Sequence, residues 1–157
     1  MYAVYGQAIA ASVCVTFAEW NPSYFTVSSG GKRISRGAMS NEKHVYGQVT
    51  ARHSLLTHPD ATTTLFGKEI KELFHIKLGD LIPLLKTYVV IPCGSSLLLD
   101  IDLRHVLPNA PSELFVKTTL EITNQNRNNR FVVEDGGPAK LFVDVTLHHL
   151  IDEGMFY

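Results

Sequence analysis

Several residue groups in this chain have side chains capable of chemistry. Asp100 and Asp102 are two apart where apolar and polar residues alternate, so both carboxylates leave one face of a strand. Calcium needs a full shell of oxygens, usually from carboxylates on adjacent loops. Asp80 is a third acid for such a site, but the chain after Asp102 runs Arg104-His105-Val106-Leu107, a cation and apolar groups. The spacing therefore predicts solvated strand acids, with Asp102 partnered by Arg104 or a lysine. Structural zinc needs four convergent ligands. His148 and His149 are adjacent and point to opposite faces of a strand, while His53, His58, His75 and His105 are scattered. His44 can meet His53 or His75 only through the fold. No metal and no cofactor is expected.

Nucleophiles are no better placed. Cys93 follows Pro92 at a turn, with no nearby charge to hold a thiolate. Ser95-Ser96 lacks the glycines of a nucleophile elbow. No catalytic set converges, so the chain reads as a non-enzyme. Cys14 and Cys93 are the only cysteines and have no metal-ligand spacing, so they read as two reduced, buried thiols in a reducing compartment. Two loops carry arginines. Asn124–Arg130 holds Arg127 and Arg130 among Asn and Gln, groups that can contact single-stranded RNA bases or phosphates. Gly31–Gly37 holds Lys32, Arg33 and Arg36. Arg33, Arg36, Arg127 and Arg130 are thus the candidate partner or RNA contacts. The competing reading is that both loops are solvated and solubilising.

These residues sit in a chain of 157, with 45% hydrophobic and 18% charged residues and a formal charge of −1. That length makes one domain with a real core. The apolar fraction excludes a disordered chain, and the near-zero charge argues against a dedicated duplex-DNA or anionic-membrane binder. Ala8–Ala18 is apolar but has no Lys or Arg before it, and Glu19-Trp20 follows, so it reads as a strand rather than a signal peptide. No apolar run is long enough for a spanning helix.

Alternation with period two is the strongest local signal. Val13, Val15 and Phe17 oppose Cys14, Thr16 and Ala18. Val45–Arg52, Leu97–Leu103, Leu114–Ile122 and Lys140–Leu147 alternate likewise, and Tyr24–Val27, Thr62–Phe66 and Arg130–Val133 are short strands. Lys68–Phe74 has helical composition, but Phe74–Leu78 alternates strictly and reads as a strand. Leu81–Ile91 reads as one long apolar strand, with Pro83 near its start and Pro92 just past its end, and Val106–Pro111 as a loop. Ser28–Lys43 reads as a mobile loop, and His148–Tyr157 as a tail that docks or frays. About eight or nine strands, with turn signals between them, predict an antiparallel β-sandwich over residues 1–157.

From His44 onward the order of motifs adds a context. Val45-Tyr46-Gly47-Gln48-Val49-Thr50-Ala51-Arg52 is followed by Leu65-Phe66, then Gly79-Asp80-Leu81-Ile82-Pro83-Leu84, Val90-Ile91-Pro92, Ser95-Ser96-Leu97 and Asp102-Leu103. This resembles the C-terminal accessory domain of the grass jasmonate-induced ribosome-inactivating proteins, and a related plant domain family of unknown function. The resemblance covers most of the chain, with Asn21–Lys43 as an insertion. It implies a sandwich with a C2-like strand order and no enzymatic activity. The toxin domain's N-glycosidase chemistry needs a Glu-x-x-Arg, which this chain lacks.

The expectation is therefore a non-catalytic, cytoplasmic interaction module that binds a protein partner in plant stress or defence, near the translation machinery. One alternative is an RNA- or ribosome-contacting domain using the arginine loops. Another is a calcium-dependent membrane module through Asp80, Asp100 and Asp102.

Overall fold

The computed structural model describes residues 8–21, 42–54, 62–92, 94–107, 110–123 and 127–149. Nine strands follow one another: β1 Ala8–Trp20, β2 Glu42–His53, β3 Thr63–Lys68, β4 Phe74–Lys77, β5 Tyr88–Pro92, β6 Leu97–Leu107, β7 Ala110–Ile122, β8 Asn128–Val133 and β9 Ala139–His149. They form two antiparallel sheets, one ordered β5-β1-β9-β8, the other β3-β2-β6-β7 with β4 also on β2. The all-β sandwich expected from alternation is what the chain builds.

The alternation sets the inner faces. Ile9, Ala11, Val13, Val15 and Phe17 from β1, and Leu141, Val143, Val145 and Leu147 from β9, line one inner face. Leu97, Leu99, Ile101 and Leu103 from β6, with Val45, Val49 and Ala51 from β2, line the other. Their burial is the main favourable term holding the layers together.

Three of the register shifts each redirect a large side chain. Opposite β2 the ladder steps from Val49↔Phe66 to Thr50↔Thr64, leaving Leu65 as an extra residue. Leu65 and Phe66 are consequently both buried. Opposite β6 it steps from Leu103↔Val116 to Arg104↔Leu114, so Phe115 and Val116 are both buried. Between β1 and β9 it steps from Phe17↔Leu141 to Glu19↔Lys140, leaving Ala18 extra. Trp20 then packs on the core although alternation alone would place it opposite Phe17.

Other expectations need correction. Leu81–Ile91 is not one strand. Gly79–Ile82 follows β1, with Phe17 N donating to Asp80 O (3.0 Å) and Ile82 N to Val15 O (2.8 Å). Pro83, which has no N–H to give, then leads the chain away from β1, and pairing resumes where Val13 N donates to Thr87 O (2.9 Å). Lys68–Phe74 holds only a single 3-10 turn, Ile70–Glu72. The strand expected over Phe74–Leu78 is present as β4. Val106–Pro111 is not a loop: β6 continues through Leu107, which pairs with Ala110 at the start of β7. Pro111 is tolerated so near a strand's start. Of the loop expected at 28–43, Glu42 and Lys43 open β2 and the rest lies outside the described residues. Of the tail, His148 and His149 close β9 and the remainder also lies outside them.

Candidate functional site

β5 is the edge strand of its sheet, and no described strand pairs with its outer side. Val89 and Ile91 point inward and are buried; Tyr88 and Val90 point outward, 55% and 59% exposed. The excursion before β5 adds Leu81 and Leu85 at 58% and 73%. Most large apolar residues of a folded chain are buried, so four this exposed along one edge are informative. Natural edges are blunted by proline and lysine. Here Pro92 closes β5 and Lys86 precedes it, leaving Tyr88–Ile91 with no described strand on its outer side.

The bulges at Ala18 and Phe115 build a second cluster at one end of the sandwich. Trp20 meets the His105 ring edge-on (4.9 Å) and stacks near Phe115 (6.0 Å), which touches Phe17 (5.0 Å). Lys43 Nζ lies 4.1 Å from the centre of the Trp20 ring, a cation–π contact. Burial lowers the pKa of Lys43 from its ordinary value. His105 is buried and follows Leu103 on the inward face of β6. Burial first, then the charges of Lys43 and Arg104, push its pKa down to about 4. The Glu113 carboxylate, 3.6 Å from Nε2, favours the proton, but it is partly solvated and does not outweigh burial. His105 is neutral at pH 7. This cluster was missed from sequence; the signal available was that His105 continues the inward positions of Leu97–Leu103.

The residues singled out from sequence have varied placements. Arg33 and Arg36 lie outside the described residues. Arg127 is exposed at the start of the β8 hairpin. Arg130 is held by Asp144, Nε to Oδ1 at 2.7 Å and Nη2 to Oδ2 at 3.1 Å, with its guanidinium 4.6 Å from the Phe142 ring centre. Its charge is shared with that carboxylate before any phosphate arrives.

The aspartates serve structure. Asp100, not Asp102, is the partnered acid: it accepts from Arg52 Nε (3.0 Å) and Thr119 Oγ1 (2.7 Å). Burial opposes its ionisation, but the Thr119 hydrogen bond and the hydrogen bond and charge of Arg52 together hold its pKa below the ordinary value. Asp80 accepts from Lys77 N (3.0 Å) and closes the turn after β4. Among the described residues the three acids form no ligand cluster; the group that does is Glu42, His44 and His75.

Ser95 donates to Pro92 O (2.8 Å) and is buried, so its hydroxyl fixes the β5–β6 turn. Cys14 is not buried: it is exposed on the outer face of β1, the face that alternation gave it. Folded protein should therefore react with a thiol reagent at Cys14 without unfolding, and Cys14→Ser should remove one reactive equivalent; slow, unfolding-limited labelling would contradict this placement. Cys93 lies outside the described residues.

No family model matches the chain, and no curated protein matches it. Among solved structures it is similar to a C2 domain of plant extended synaptotagmin 1, at 10% identity and a TM-score of 0.43, over 92% of this chain and 96% of that one. A TM-score that low assigns neither family nor function. No helix among the described residues is long and apolar enough to cross a membrane.

Proposed function

We propose that this chain is a non-catalytic interaction module whose β5 edge accepts an extended segment of a protein partner. The observation that carries this reading is that β5, which no described strand pairs with on its outer side, shows Tyr88 and Val90 exposed, with Leu81 and Leu85 exposed in the segment leading into it. Open backbone N–H and C=O groups are best satisfied by another strand, and alternate side chains beside them supply selectivity. The partner segment is therefore extended, with apolar residues at alternate positions. The resemblance of the motif order supplies the setting, a cytoplasmic role in plant stress or defence beside the translation machinery.

Selection from a displayed library of short random peptides tests this. Recovered peptides should alternate apolar residues and slow amide exchange in β5. Tyr88→Lys with Val90→Lys should weaken them by at least about tenfold. Those positions face out, so the core is untouched. Peptides that bind the double variant unchanged, or that protect other strands, would overturn the proposal. So would salt-sensitive binding of short RNAs that depends on Arg127 and displaces the peptides.

A further inference from the structure

The outer face of the other sheet carries an arrangement that sequence spacing hid. β2 and β4 pair antiparallel with His44 directly opposite His75 and Glu42 opposite Lys77. Residues two apart on a strand share a face, so Glu42, His44 and His75 project together. The two imidazoles are stacked nearly parallel, with centroids 4.0 Å apart and an angle of 9° between their planes. Glu42 Oε2 lies 3.5 Å from His75 Nδ1, and one ligand atom from each of the three residues falls within 4.8 Å of the others.

From this geometry we infer that Glu42, His44 and His75 form a binding site for a divalent transition-metal ion. Tetrahedral zinc at ordinary Zn–N and Zn–O lengths needs ligand atoms about 3.3 Å apart. The present atoms must close by roughly 1.5 Å at most, which needs the rings to splay out of their stack. That movement is cheap, because the His75 and Glu42 side chains are 57% and 39% exposed. Two imidazoles and one carboxylate suit zinc, nickel or copper, whereas calcium and magnesium need more oxygens. Water fills the remaining position. Lys77 lies opposite Glu42 in the ladder.

The site joins β4 to β2, and β2 is the only strand that β4 pairs with among the described residues. Bound metal would staple that four-residue strand to the sheet. A ligand that binds only the folded chain raises its midpoint.

Calorimetric titration of the full chain with zinc chloride, beside thermal melts, tests the inference. One zinc should bind with micromolar affinity, raise the melting midpoint and slow amide exchange in β4. Calcium and magnesium should do none of these. His44→Ala and His75→Ala should each weaken binding by about tenfold or more, and Glu42→Gln by about tenfold. Cobalt should give a visible tetrahedral spectrum that the double histidine variant lacks. None of the three side chains is buried, and circular dichroism of each variant checks that it is folded. Wild-type zinc affinity in the double variant would overturn the inference, because His148, His149 or a cysteine would then be the ligand. Absence of saturable binding at millimolar zinc would overturn it equally.

Discussion

Gly47→Ala should lower the unfolding free energy by about 3 kcal/mol or more, with a matching fall in the urea midpoint. Gly47 sits mid-way along β2, paired with Leu103 of β6 on one side and Lys68 of β3 on the other. Its φ is +129°, a region that residues with a Cβ avoid. A Cβ there lands on the carbonyl oxygen of Asp102, with Leu103 Cα at 3.0 Å and Asp102 C at 3.2 Å. Those are backbone atoms of a strand held between β2 and β7, so they have no easy way to move. Strain and overlap therefore add. Gly67→Ala is the internal control: its Cβ meets only the Thr64 methyl, at 3.3 Å, and its loss should stay below about 1 kcal/mol. Equal losses at the two positions would show that the special backbone at Gly47 is not what the sheet depends on.

Gly47 also marks how far the sequence could be read. Alternation grouped it with Val45, Val49 and Ala51, and that face is correct, but nothing local to the residue reveals its positive φ. The same division holds elsewhere. Which face each residue of β1, β6 and β9 takes was legible, because a half-buried strand must alternate. Which residue lies opposite it was not, because cross-strand register is a long-range property. His44 and His75 are separated by the rest of β2 and the whole of β3, so their meeting cannot be inferred from spacing. The bulges at Leu65, Phe115 and Ala18 were invisible for the same reason: each is an extra residue only relative to a partner strand. Cys14 shows the opposite error. Its alternation places it outward, and that local signal outweighs the general preference of free cysteines for burial. Pro83 ended regular pairing in Leu81–Ile91 because one missing donor matters more than an apolar run. The exposed residues along β5 lay within that run and looked like core.

Acid should destabilise the sandwich through His105. Among the described residues three charged groups act on this ring: Lys43 from β2, Arg104 beside it on β6 and Glu113 from β7; Trp20 and Phe115 supply the apolar contacts. In the unfolded chain the imidazole titrates near its ordinary value of 6.5, and in the folded chain at about 4. Between those values the unfolded state binds a proton that the native state refuses, so stability falls as pH is lowered. The contribution of neutral His105 is complete above the upper value and is lost on descending to the lower one, up to about 3 kcal/mol. Asp100 acts in a separate window. Its lowered pKa means that its contribution is kept above 3.8 and fades only as pH drops further. The His105 slope falls between pH 6.5 and 4, above the Asp100 window. Urea unfolding of wild type and His105→Gln at steps through that range measures it. Glutamine is polar and does not titrate, so the variant starts less stable but should show a flatter pH profile. Parallel profiles would place the acid sensitivity elsewhere. They would also remove the reason for treating the Trp20–His105–Phe115 end of the sandwich as desolvated. A flat variant profile instead identifies one buried imidazole, aimed inward by strand alternation and enclosed by two bulges, as the group that sets the acid limit of the fold.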